Sequence, residues 1–180
     1  LSYNNLGPGY GLYQHAGAAK WEYNIVRYNI SFNDGTDVDS CGLQLWNGQE
    51  QGPEMKNALI YNNVFFNDFG RAVNYKTGDV PGIFYWNNIM FGHQQPIAGE
   101  HTKSVFDNNL YWVTENRKID FAEDVSGIFA DPQLKLPNPQ ELLIEDPSQL
   151  KDLQFFKLMS GSPCLNKGKA IPQNGGFDFW

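Results

Sequence analysis

This 180-residue chain predicts an all-β fold: a parallel β-helix, in which stacked coils form a solenoid ending in an irregular C-terminal cap. Three observations carry that prediction. Asn5, Asn29, Asn63, Asn88 and Asn109 recur in one local phrase at intervals of 24, 34, 25 and 21 residues. A second family of short apolar segments falls between those phrases. The composition, with 18 glycines, 15% aromatic residues and abundant asparagine, is that of a turn-rich β protein.

The phrases are YNNLG (3–7), VRYNISFN (26–33), IYNNVFFN (60–67), YWNNIMFG (85–92) and FDNNLYW (106–112). An aliphatic residue follows each marked asparagine, and an aromatic stands three places after it in all but the first. Periods of 20 to 50 residues signal a solenoid whose thin units close a core only by stacking. The segments are too short and too rich in β-branched and aromatic residues for helical hairpins, so each reads as a short strand preceded by a turn. Stacking predicts a column of asparagines, each amide bridging backbone groups of the next coil, because that side chain both donates and accepts. The competing account is a β-sandwich whose Asn-rich turns look alike, although sandwich turns need not keep the same residues on both sides.

GLYQHAG (11–17) aligns without a gap with GLQLWNG (42–48), and RAVNYKTG (71–78) and QPIAGEHT (95–102) occupy the corresponding intervals. Strand alternation points Leu12, Leu43 and Ala72 inward, and likewise Gln14, Leu45 and Asn74. The opposite face presents Tyr13, Gln44 and Val73 in one column and His15, Trp46 and Tyr75 in the next. That second column is a candidate stripe of rings for stacking on pyranose faces. The alternatives are a laterally packed face under a loop, or a strand phase off by one that puts these rings in the core.

After Trp112 the periodicity stops. Residues 1–112 are predicted to be the coils and 113–180 a capping segment of the same domain, with DPQL and LPNP as turns and one short helix within 142–153, Ser148 near its start. An open solenoid end exposes core and unpaired strands, so a covering segment is expected. The chain opens inside a repeat, which points to preceding β-helix coils as a partner of this segment. Cys41 and Cys164 are expected to be unpaired thiols without a redox or metal spacing.

The net charge is −7 and the isoelectric point about 4.8. No basic run supplies the attraction that nucleic acid or an anionic membrane requires, and no apolar stretch is long enough to span a bilayer. GxGxxG and Walker sequences are absent, which disfavours dinucleotide and phosphate chemistry.

GPGYGLYQHAG, YNIVRYNISFNDG, IYNNVFF, FADPQL and FKLMSGSPCLNKG resemble the right-handed parallel β-helix proteins of the pectate-lyase-like superfamily, especially a large secreted bacterial group. The resemblance covers almost the whole chain and implies a right-handed solenoid, a secreted, cell-surface or periplasmic location and a carbohydrate partner. It does not select a chemistry, since that superfamily includes lyases, hydrolases, epimerases and binding proteins.

Tyr13, His15, Gln44, Trp46 and Tyr75 are the candidate substrate-binding residues. Hydrolysis of an extracellular polysaccharide or oligosaccharide needs two carboxylates, for which Asp37, Asp39 and Glu100 are the candidates, with Glu50 and Glu54 nearby. The alternative, β-elimination from a uronate-containing glycan, needs a base and a positive charge, for which Lys76, Arg71 and His15 are nearest and His101 lies further along. A non-catalytic glycan-binding or structural β-helix is the third reading. No cofactor is expected. Asp34, Asp37 and Asp39 form an oxygen-rich turn that makes Ca²⁺ the candidate ion, though its spacing matches no known calcium loop.

Overall fold

A computed structural model of the chain describes residues 1–37, 39, 41–48, 54–93, 95–114, 119, 121, 123–138, 142–144 and 146–172. The strands in chain order are β1 (Ser2–Tyr3), β2 (Tyr10–Gln14), β3 (Ile25–Arg27), β4 (Ile30–Phe32), β5 (Cys41–Asn47), β6 (Ala58–Tyr61), β7 (Val64–Phe66), β8 (Arg71–Tyr75), β9 (Ile83–Trp86), β10 (Ile89–Gly92), β11 (Ile97–Ala98), β12 (Val105–Asp107), β13 (Leu110–Val113) and β14 (Ile128–Phe129). They form three sheets with parallel pairing: sheet A in the order β1-β4-β7-β10-β13-β14, sheet B in the order β11-β8-β5-β2, and sheet C in the order β12-β9-β6-β3. The chain visits B, C and A in turn on each circuit. The protein is therefore all-β, a β-solenoid-like stack of coils. Each asparagine phrase after the first holds two strands bent about a two-residue corner, where the sequence pattern suggested one strand after a turn.

The corner between sheets C and A explains the repeated phrase. Its first residue, Tyr28, Asn62, Asn87 or Asn108, has φ between 54° and 59°, a left-handed backbone that asparagine tolerates better than most residues. Its second residue is the ladder asparagine. Asn29 donates its backbone N–H and Nδ2 to Oδ1 of Asn63 (2.9 and 3.1 Å), Asn63 does the same to Asn88 (3.1 and 2.9 Å), and Asn88 to Asn109 (both 2.9 Å). Asn88 and Asn109 also donate Nδ2 to Ile60 O and Tyr85 O of the coil before. Asn63, Asn88 and Asn109 are at most 1% exposed, so these bonds satisfy groups that water cannot reach.

The ladder ends on an acid. Asp124, 2% exposed, accepts from Asn108 N, Asn109 N, Asn109 Nδ2 and the Tyr111 hydroxyl at 2.9–3.1 Å. A terminal rung has no later coil to donate to, and a carboxylate is acceptor-only.

Asn5 does not belong to this column, contrary to the sequence pattern. It follows β1, which pairs Ser2 with Ser31 and Tyr3 with Phe32, so it lies at the exit from sheet A. There its N–H and Nδ2 both reach Oδ1 of Asp34 (3.0 and 2.7 Å). Its phrase also lacked the aromatic three residues later, the one sequence sign that it was different.

The interior is filled by Leu43, Leu45, Ile60, Phe65, Val73, Tyr75, Ile83, Tyr85, Met90 and Tyr111, drawn from all three sheets. Tyr75 and Tyr85 share a buried hydroxyl bond of 2.9 Å, and burial pushes both phenols above their ordinary value. Phe121 closes the C-terminal end against Phe106 and Tyr111, each 4.8 Å between ring centres.

The tail does more than cap an end. Leu142, Leu153 and Phe156 cover the outer face of sheet A, packing on Ile30, Phe32, Phe66 and Phe91. Phe66 stacks on Phe91 at 4.0 Å, and Phe156 meets Phe32 edge-on at 5.3 Å. At one extreme Ile144 N–H donates to the Tyr3 hydroxyl (3.1 Å), and at the other Lys169 bonds Asn87 and pairs with Asp107 (2.6 Å). The predicted short helix is a 3₁₀ segment, Pro147–Asp152, capped by Asp146 with Gln149 reciprocating; Ser148 donates to that cap. Cys41 is buried and Cys164 half-buried, and both are free thiols. No helix among the described residues is long and apolar enough to cross a membrane.

Asn88→Ala strips an acceptor from Asn63 and a donor from Ile60, leaving buried groups unpaired, and is expected to lower unfolding free energy by about 3 kcal/mol. Asn5→Ala, outside the ladder, removes one donor to the buried Asp34 carboxylate but keeps the backbone N–H on it, and is expected to cost less, about 1.5 kcal/mol. Urea denaturation of the two variants makes the comparison.

Candidate functional site

Sheet A is covered by the tail, whereas the outer face of sheet B carries polar and aromatic side chains open to solvent. Register places the rungs. Tyr10, Leu43, Val73 and Ile97 align across the sheet, as do Gly11, Gln44, Asn74 and Ala98, then Leu12, Leu45 and Tyr75, then Tyr13 and Trp46. Leu43, Leu45, Val73 and Tyr75 belong to the core, so Gln44, Trp46 and Asn74 lie on the opposite face.

Tyr75 is thus removed from the ring stripe: it is 3% exposed and bonded to Tyr85 and Ser104. Val73 is likewise interior, and Asn74, expected inside, is outside. The column assignment set Arg71 against Gly42, while the structure pairs Arg71 with Cys41; the gapless alignment of 11–17 with 42–48 is itself two residues out, since Leu12 pairs with Leu45 and Tyr13 with Trp46, a shift that keeps the faces. A one-residue slip exchanges the two faces of a strand. The phases assigned to β2 and β5 were correct.

The surviving rings form a cluster across two coils. Trp46 meets Tyr13 edge-on at 5.9 Å and His15 edge-on at 4.8 Å. Tyr13 donates its hydroxyl to Gln44 Oε1 (3.0 Å). Gln44 is 4% exposed, and its Nε2 makes no hydrogen bond of ordinary geometry. Beside it Lys76 donates to Asp39, forming an ion pair. Asp39 has φ 54°, so the chain turns sharply just before β5. Lys76, and then the nearby Gln44 amide, hold the Asp39 carboxyl below its usual range, with a smaller pull from Arg71. Burial pushes the neighbouring Cys41 thiol up to about 12, which leaves it unreactive.

The other predicted residues scatter. Arg71 is half-buried at the start of β8. Asp37 and Glu100 are exposed, the first in the turn before β5 and the second just past β11. Glu54 is exposed as well, and Glu50 lies outside the described residues. His101 packs among Tyr75, Phe106 and Phe121, with its Nδ1 2.8 Å from Gly99 O. Asp34 is fully buried, its Oδ1 accepting from Asn5 N–H and Nδ2 and its Oδ2 from the Ser31 hydroxyl (2.6 Å), so it serves as a structural rung. Among the described residues no three His, Cys, Asp or Glu side chains are grouped to hold a metal.

The face therefore combines an aromatic surface, two amides, one ionised carboxylate and one or two cations. Such a set can hold a polyol ring by stacking and hydrogen bonding. Asn74 was missed because its strand was read in the wrong phase. No protein-family model, curated protein or solved structure matches the chain in comparison searches.

An Asp carboxyl whose folded pKa is depressed contributes stability that is present above its unfolded value of about 3.9 and is lost as pH falls through the folded value. Carboxyl NMR titration of Asp39 is expected to give a midpoint below that of a free aspartate, and Lys76→Met is expected to raise it. A midpoint unmoved by the substitution would show that the ion pair does not set the charge of this face.

Proposed function

We propose that the protein is a carbohydrate-active, right-handed parallel β-helix protein of the pectate-lyase-like kind, secreted or held at the cell surface, that binds a polysaccharide or oligosaccharide along the outer face of sheet B. The observation that carries this reading is the Tyr13, Trp46 and His15 cluster beside Gln44, Asn74 and the Asp39–Lys76 pair. Aromatic rings flanked by amides and charges, spread over successive coils, suit a chain of sugar rings better than a compact ligand.

Glycoside hydrolysis is the chemistry we favour. Asp39, held ionised, is suited to the base or nucleophile part, and Asp37 or Glu100 would supply the acid. Elimination is less favoured because Lys76, the nearest candidate base, is engaged by Asp39 and stands there as a positive charge. The exposure of both Asp37 and Glu100 supports a second reading, a glycan-binding face without catalysis, since a catalytic acid is usually raised by a water-poor environment.

The test incubates the protein with neutral and uronate-containing polysaccharides, following reducing ends and ultraviolet absorbance of unsaturated products. New reducing ends without unsaturation are expected, and are expected to be lost in Asp39→Asn. Unsaturated products would replace hydrolysis with elimination. Binding without either product would support the second reading. Trp46→Ala is expected to weaken glycan binding about tenfold, equivalent to about 1.4 kcal/mol, and unchanged affinity would remove this face from the account.

A further inference from the structure

On the other side of the molecule, between the covered face of sheet A and the returning tail, lies a pocket of about 390 Å³. Its floor is aromatic, made by Phe66, Phe91 and Trp112, which follow one another at the same register position of β7, β10 and β13. Asp68, from the turn after β7, and Asp131, from the tail, bring carboxylates to it, with Thr114 and Gln133 as further polar lining. No lysine or arginine is among the described residues that line it. An aromatic floor with two carboxylates beside it is complementary to positive charge carried on an apolar or ring-shaped body.

We propose that this pocket binds a small organic cation, a primary ammonium on a ring, with the ring against Trp112 and the ammonium between Asp68 and Asp131. The volume admits one such molecule and not a polymer. The site is separate from the sheet B face and does not depend on the function proposed for it.

The surroundings of Asp68 fit this assignment. Its backbone N–H donates to Asn33 Oδ1 (2.9 Å), which fixes the turn. Burial raises its carboxyl above the ordinary value, against smaller opposing pulls from Asn33 and His93. His93, from the turn after β10, is oriented by Thr114: their Nδ1 and Oγ1 lie 2.9 Å apart, and the Thr114 hydroxyl also reaches His93 O (3.0 Å). Asp131 faces the pocket from the tail, where its Oδ1 accepts from Gln133 N–H (2.8 Å). A carboxylate disfavoured by burial gains most from a cation, so ammonium affinity should fall as pH drops and Asp68 takes up its proton.

The experiment titrates the protein with benzylammonium and glucosamine, using benzyl alcohol and N-acetylglucosamine as neutral counterparts, and follows the Trp112 indole NMR signal. At least one ammonium is expected to saturate that signal, its neutral counterpart binding at least tenfold more weakly. Which of the two binds identifies the body as aromatic or sugar. Asp68→Asn, which removes a half-buried charge and should fold, is expected to reduce ammonium affinity about tenfold. Saturation of the Trp46 signal alone, equal binding of charged and neutral probes, no saturable binding by either ammonium, or an unaffected Asp68→Asn would each overturn the assignment.

Discussion

Everything in this molecule hangs on a buried amide that donates and accepts in the same plane. At the corner between sheets C and A, each ladder asparagine after Asn29 receives two N–H groups from the coil before it and passes its own to the next rung. At the corner the first residue's N–H still meets a backbone carbonyl of the next coil, as Asn62 N meets Trp86 O, but the ladder asparagine's own N–H goes to a side chain and would otherwise be buried without a partner, at about 1–3 kcal/mol each. The asparagines remove that penalty at every coil. They also favour one register of coil on coil, because a slip by one residue would bring to the rung either the aliphatic Ile30, Val64, Ile89 or Leu110, or the left-handed corner residue Tyr28, Asn62, Asn87 or Asn108. The acid at the end of the column follows from the same logic, since Asp124 has only donors to receive.

Once register is fixed, the two outer faces acquire different fates. The outer face of sheet A carries Phe32, Phe66 and Phe91 in line, an apolar strip that the tail covers with Leu142, Leu153 and Phe156. The outer face of sheet B carries Tyr13, Gln44, Trp46 and Asn74 and receives no such cover among the described residues. Burial of one strip and solvation of the other is a consequence of side-chain alternation on strands that share a single core. The proposed glycan face is the uncovered one. The proposed cation pocket exists because the tail does not seal sheet A where Trp112 and Asp131 face each other.

The solenoid was legible in the sequence because its repeat places the same residue types in the same physical situation. The intervals of 34, 25 and 21 residues are the spacings between Asn29, Asn63, Asn88 and Asn109, the rungs themselves. Asn5 misled because an Asn-Asn pair also serves the exit from sheet A, where Asn4 takes φ 53° and Asn5 bonds Asp34. The phase of β8 misled because coils differ in length: β2 pairs with β5 at an offset of 33 residues and β5 with β8 at 30, so matching the segments by their first residues does not give their pairing. The tail's route over sheet A was hidden for a different reason: nothing local distinguishes an end cap from a lateral cover. The tyrosine, tryptophan and glutamine of the sheet B face could be read from alternation within β2 and β5 alone. Asp68 could not, since its environment comes from the fold and not from its neighbours in sequence.

The measurement that tests the central claim most directly is native-state hydrogen exchange at the corner amides. If the ladder organises the stack, the backbone N–H groups of Asn63, Asn88 and Asn109 will exchange only through global unfolding, and together. The N–H of Asn5 will exchange faster. Fast or unequal exchange at the three inner rungs, with the strand amides of sheets B and C still protected, would contradict the account, because the coils would then hold together without the asparagines.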